Sequence, residues 1–212
     1  MKIIDQKWDW VYASPFALNY IEEAGRTCYK SEKQIDENSS KNFVKMILKR
    51  GHESVIEHVS ASVRFITNRG VTHELVRHRL CAFSQESTRY VNYSGSDIEY
   101  IRPVWLSDLP LGLYLINEIK NLPQPDYDWA QSMFESERAY YSMIAHGWRP
   151  EQAREVLPNS LKTEIVVTAN LREWRHIFKL RTAKAAHPQI RELMKSCLLG
   201  FQKAFPVLFD SI

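Results

Sequence analysis

Val59-Ser60-Ala61-Ser62-Val63-Arg64-Phe65-Ile66, followed by Asn68-Arg69-Gly70, is the stretch from which the fold can be read outward. Val59, Ala61, Val63 and Phe65 fall on one face and Ser60, Ser62 and Arg64 on the other, the period of a half-buried strand. Asn68-Arg69-Gly70 reads as a turn. Residues 71 to 79 then turn helical, and the pattern breaks near Ala82. A second stretch repeats the design. Leu161, Thr163, Ile165, Val167 and Ala169 share one face, and Asn170 with Glu173 three positions on has the spacing of a capping box. Each strand thus leads into an arginine-rich helix start. Whether the two strands are neighbours is not fixed by their sequences.

Around these landmarks the spacing predicts helices over residues 15 to 28, 40 to 50, 126 to 146 and 188 to 205, with a short one from Pro150 to Pro158. Ser14-Pro15 suits a helix start, and Gly51 and Gly147 suit helix ends. Residues 98 to 102 form a short strand, 83 to 97 a polar functional loop, and 104 to 123 are weakly patterned. Strands and helices do not alternate regularly, which favours an α+β fold over a doubly wound sheet. A length of 212 residues fits one domain, residues 1–212.

Hydrophobic residues make up 44% and charged residues 25%, as in a water-soluble globular chain. No apolar run is long enough to span a bilayer, and Met1-Lys2-Ile3-Ile4-Asp5 lacks the apolar stretch of a signal peptide, so a cytoplasmic location is expected, with no membrane partner. Cys28, Cys81 and Cys197 have neither metal-site nor redox spacing. His52-Glu53 and Glu57-His58 place their histidines six apart, unlike the four-residue spacing of a zinc helix, and no metal is expected.

The net charge of +3 is too small to imply a nucleic-acid partner by itself. Its placement says more. Arginines gather in residues 64 to 89 and 172 to 191. The planar guanidinium fork fits paired phosphate or carboxylate oxygens, so two such clusters suit a small anionic ligand. On a helix, Arg77, His78 and Arg79 would fan out over roughly 200°, implying a branched ligand or two ligands. Taken alone, the triplet reads more often as a basic helix end complementing the helix dipole than as a site. The loop Ser84-Gln85-Glu86-Ser87-Thr88-Arg89-Tyr90 adds hydroxyls, acceptors and an arginine suited to phosphate. A nucleic-acid module would use the same arginines, but Glu86 would repel a phosphate chain.

Arg77-His78-Arg79, seven residues, then Ser87 resembles the signature of the flavin-dependent thymidylate synthase family. Gly51-His52-Glu53-Ser54, Ala153-Arg154 with Leu157-Pro158, Asn170-Leu171-Arg172 with Leu180-Arg181, and His187-Pro188-Gln189-Ile190 resemble further family segments in the same order. The resemblance implies a mostly antiparallel central sheet flanked by helices, in a homotetramer with sites at subunit interfaces. It implies methylation of dUMP to dTMP with methylenetetrahydrofolate as carbon donor, FAD as cofactor and NADPH as reductant. By position it implies that Ser54, Arg77, His78, Arg79, Gln85, Asn170, Leu171, Arg172 and His176 meet FAD. Glu74, Leu75, Val76, Arg77, Gln85, Glu86, Ser87, Thr88, Arg89, Arg154 and Arg181 would meet dUMP. Arg181 would be catalytic, placed against the uracil ring, with Ser87 a nucleotide-binding residue. Glu74 and Ser84-Gln85 depart from the commonest family pattern. A flavin oxidase without methyl transfer is the runner-up reading.

Overall fold

The computed structural model describes residues 1–212. The chain starts with the strands β1 (Lys2–Ile4) and β2 (Lys7–Ala13), then the helices α1 (Ala17–Tyr29) and α2 (Ser39–Lys49). A 3-10 turn, Glu53–His58, leads to β3 (Ser60–Asn68) and α3 (Arg69–Leu75). There follow β4 (Ala82–Gln85), β5 (Glu99–Ile101), β6 (Gly112–Leu113), α4 (Gln124–Ala145), α5 (Pro150–Ala153), β7 (Lys162–Asn170), α6 (Leu171–Arg181) and α7 (Pro188–Ala204). The α+β expectation holds. In place of one central sheet there are two: a three-stranded sheet ordered β5-β1-β6 and a four-stranded sheet ordered β2-β3-β7-β4. The smaller is mixed, β1 running parallel to β5 and antiparallel to β6.

β3 and β7, the two alternating strands read from the sequence, are neighbours. Ser62 and Thr168 share a hydroxyl hydrogen bond of 2.8 Å. The inward face of each strand is buried, as its alternation requires.

The chain divides into two compact units. The first comprises Met1–Lys7, Phe65–Arg77 and Ser84–Ile165. Its core gathers Ile3, Ile98, Tyr100, Leu161 and the α4 residues Ala130, Met133 and Tyr140, spaced to lie on one helix face. The Tyr100 hydroxyl donates to the Met133 carbonyl at 3.1 Å, which satisfies the one polar atom this ring brings into the core.

The second unit comprises Trp8–Arg64, His78–Phe83 and Val166–Ile212. Trp174 and Phe178 of α6 pack on Phe201 of α7 with ring centroids 4.9 Å apart in each pair. The Trp174 indole donates to the Ala61 carbonyl at 3.0 Å, pinning α6 onto β3. Trp10 of β2 joins the cluster, 4.6 Å from Phe201. Beside it, Gly200 of α7 leaves room for Trp8, since a Cβ there would come within 2.1 Å of the indole. Gly51, past the end of α2, has φ +71° and so takes the left-handed conformation expected of a helix-ending glycine. No helix is long and apolar enough to cross a membrane.

Three local expectations are corrected. Residues 68 to 70 are not a turn: Asn68 caps α3, its side chain accepting from Val71 N at 2.8 Å. And α3 ends at Leu75, so Arg77, His78 and Arg79 lie beyond it, Arg77 N donating back to the Glu74 carbonyl at 3.3 Å and Cys81 N closing the next turn onto the His78 carbonyl at 3.2 Å. The helix stops where the chain passes from the first unit to the second, between Arg77 and His78. No glycine or proline marks that stop. The polar loop expected over residues 83 to 97 likewise begins inside a strand, β4.

Candidate functional site

Within the second unit, the junction of β7 and α6 builds the site. Asn170 sits in extended backbone and accepts from Glu173 N at 2.8 Å, so α6 begins where its cap was expected. The Glu173 side chain does not complete a reciprocal box. It turns inward, and its Oε1 lies 3.5 Å from Nδ1 of His78. Helical periodicity then divides α6. Leu171, Trp174, Ile177 and Phe178 enter the core, while Arg172, His176 and Lys179 are exposed.

These three line a cavity of about 620 Å³, together with Asn170, Arg175, Leu80, Glu173, Glu53 and Glu57. Arg172 donates to Glu57 at 2.5 Å, and Arg175 reaches Glu53 at 3.4 Å. Arg175 is 5% exposed, also donates to the Leu208 carbonyl, and keeps its Nε without a hydrogen-bond partner. Nearby, the Tyr29 hydroxyl and His52 Nδ1 are hydrogen-bonded at 2.6 Å.

His78 is the best-defined group. It is buried, and its Nε2 accepts from Nε of Arg181 at 3.0 Å, a bond between residues 103 positions apart. Its ring meets that of His176 edge-on at 5.9 Å. Burial, then the positive charge of Arg181 and the neighbouring His176, lowers its pKa to about 4, so the imidazole is neutral near pH 7. Burial also raises the Glu173 carboxyl. The Cys81 thiol is pushed up to about 12 by burial and by the charge of Glu173, and Cys197 is raised by burial. Neither is poised as a thiolate.

The first unit holds a second polar cluster. Gln85 donates through Nε2 to Thr72 at 3.0 Å and Thr163 at 3.3 Å, which fixes its amide. Glu86 accepts from the Tyr93 hydroxyl at 2.6 Å and from Lys162 at 3.2 Å. Burial works against the Lys162 charge, yet its bonds to Glu164 and Glu86 outweigh this and raise its pKa. Glu86, Tyr93 and Lys162 line a cavity of about 430 Å³. Ser87 accepts from Arg89 N at 3.3 Å, and its carbonyl accepts from Tyr90 N and Val91 N, forming a tight turn. Thr88 is buried, while Arg89 is exposed over the Tyr90 ring.

The expected residues sort by unit. Of the flavin set, Ser54, His78, Arg79, Asn170, Leu171, Arg172 and His176 belong to the second unit, and Arg77 and Gln85 to the first. Of the nucleotide set, only Arg181 belongs to the second. Leu75 and Leu171 have buried side chains that serve the core. Glu74 is half-buried, Val76 exposed and Arg154 half-buried beside Glu155 at 3.6 Å. Ser54 is exposed on its 3-10 turn. Sequence reasoning missed Glu53 and Glu57 as cavity walls, Glu173 as a partner of His78, and Lys162 and Tyr93 as partners of Glu86. Glu173 carries a signal, its place in the first turn of α6, but that spacing reads as a cap, and Glu53 stands in a segment that resembles the family.

A family model described as thymidylate synthase complementing protein matches residues 11–207. The chain belongs to this family. Among its members, the flavin-dependent thymidylate synthase of Mycolicibacterium gilvum is 36% identical over 208 residues, covering 95% of this chain and 82% of the relative. That of Mycobacteroides abscessus is 32% identical over 207 residues, with the same coverage of 95% and 82%. Two solved structures share the family fold. A UMP/dUMP methylase, PolB from Streptomyces cacaoi, bound with 5-Br dUMP, superposes with a TM-score of 0.79 at 22% identity over 100% of this chain and 96% of its own. Thymidylate Synthase X from Helicobacter pylori, with FAD and dUMP, gives 0.77 at 21% identity over 97% and 98%.

Proposed function

We propose that this chain is a flavin-dependent thymidylate synthase, converting dUMP to dTMP with methylenetetrahydrofolate as carbon donor and NADPH as reductant. The carrying observation is the bond between His78 and Arg181. It joins the family's signature triplet to the arginine expected at the uracil ring. The identity with named relatives supports the same reading. FAD, when bound, supplies the hydride.

The cavity of the second unit fits such a group. Its volume lies within the usual range for cofactor sites, and Arg172 and Lys179 line it beside buried Arg175, whose Nε has no hydrogen-bond partner, a donor set suited to phosphate oxygens. Asn170, Arg172 and His176 would hold it there.

Arg181 carries the catalytic role. A fixed guanidinium at the uracil oxygens and N3 stabilises negative charge on the ring and makes C5 a better carbon nucleophile. No cysteine adduct is needed, which agrees with the raised Cys81 and Cys197 thiols. Ser87 binds nucleotide and is not a nucleophile, since its oxygen accepts from Arg89 N in its own turn and the adjacent Glu86 carboxylate is engaged by Tyr93 and Lys162. The homotetramer, with sites at subunit interfaces, the cytoplasmic location and the reading of residues 1–212 as one functional domain belong to the same proposal.

The test is direct. Protein supplied with FAD turns yellow and makes dTMP only when dUMP, methylenetetrahydrofolate and NADPH are all present. Protein that cannot be loaded with FAD would sink the reading. Yellow protein that oxidises NADPH without making dTMP would favour the oxidase.

A further inference from the structure

We propose that His78 is a positioning residue for Arg181, its Nε2 lone pair bracing the guanidinium in a tautomer selected by Glu173. The inference rests on the reading that Arg181 meets the nucleotide.

The hydrogen-bond polarity leaves one arrangement. Arginine has only donors, so Nε2 of His78 must accept at the 3.0 Å contact with Arg181 Nε. A neutral imidazole has one N–H, which is therefore on Nδ1. Nδ1 lies 3.5 Å from the Glu173 carboxylate, an acceptor that is itself 7% exposed. Glu173 and Arg181 both stand on α6, about two turns apart. One imidazole thus ties a long, flexible side chain back to its own helix. An arginine ordered before the nucleotide arrives spares binding the cost of ordering it.

The same groups offer a competing reading. His78, Glu173 and His176 bring potential metal-ligand atoms within 4.8 Å of one another. The brace opposes it: with a proton on Nδ1 and Arg181 on Nε2, His78 has no lone pair left for a metal.

Two substitutions separate bracing from a simple flavin contact. In His78→Gln the amide oxygen reaches the position of Nε2; in His78→Asn it reaches only that of Nδ1. With dUMP titrated calorimetrically into FAD-loaded protein, H78N should weaken binding about tenfold or more and H78Q less than about threefold, the range for a hydrogen bond to a charged group. FAD affinity should change alike in both. Equal weakening of dUMP binding by both variants would overturn the brace. Nitrogen-15 NMR of histidine-labelled wild-type protein supplies a readout free of nucleotide and of folding defects in the variants. The Nδ1–H tautomer at His78 is expected, and a protonated Nε2 would overturn the proposal. If wild-type protein fails to bind dUMP, the functional reading falls, and the NMR result alone decides the brace.

Discussion

The molecule contains two strand-to-helix junctions built to the same local plan, with different outcomes. β3 passes into α3 through Asn68, and β7 into α6 through Asn170. Each asparagine is in extended backbone, and each accepts from the backbone N–H three residues on at 2.8 Å. Yet α3 ends after 7 residues, while α6 runs for 11. The cap starts a helix; tertiary contacts decide how far it continues. α6 carries Trp174 and Phe178 into an aromatic cluster, whereas α3 buries only Val71, Thr72 and Leu75. The consequence is functional. Arg172, His176 and Arg181 are displayed from a rigid helix, whereas Arg77, His78 and Arg79 are carried by a turn beyond one.

Five substitutions would break or sharpen this contrast. Trp174→Ala should cost about 3–5 kcal/mol of stability, because it removes a fully buried ring and the indole bond to Ala61; urea unfolding measures it. A loss under about 1 kcal/mol would mean that α6 is not anchored as described. Arg181→Ala should lower the rate of dTMP formation by roughly 10²–10³, the scale for loss of one donor to developing charge. Arg77→Ala, on the exposed turn, should cost less in the same assay, and an equal cost would erase the distinction. Asn170→Ala and Asn68→Ala should each lose about 1 kcal/mol in denaturant melts, as equivalent caps do.

Acid should act through His78. His78 takes up its proton near pH 6.5 when unfolded and only at about 4 when folded, so the unfolded chain binds more protons between those values. The melting temperature should fall as pH drops from 6.5 towards 4, through this group's contribution, and His78→Gln should flatten the slope. An unchanged slope would mean that another group governs acid stability.

Much of the fold is legible in local sequence patterns. The alternation in β3 and β7, the helical spacing of α1, α2, α4, α6 and α7, and the cap at Asn170 all follow from them. β2 is not legible, because its tryptophans are placed by Gly200 and Phe201, nearly two hundred residues away. The stop after Leu75 is invisible because no breaker residue encodes it. At the site, residue types point to the arginines and to His78, but pairing is a long-range property. Nothing local joins His78 to Arg181, or Glu86 to Lys162.

The most direct test of the central claim is dTMP formation by a variant in which Cys28, Cys81 and Cys197 are all replaced by serine or alanine, folded and loaded with FAD. Flavin-dependent methylation without a thiol nucleophile predicts dTMP at close to the wild-type rate, and none when FAD is withheld. A folded, FAD-loaded variant that binds dUMP but makes no dTMP would contradict the account.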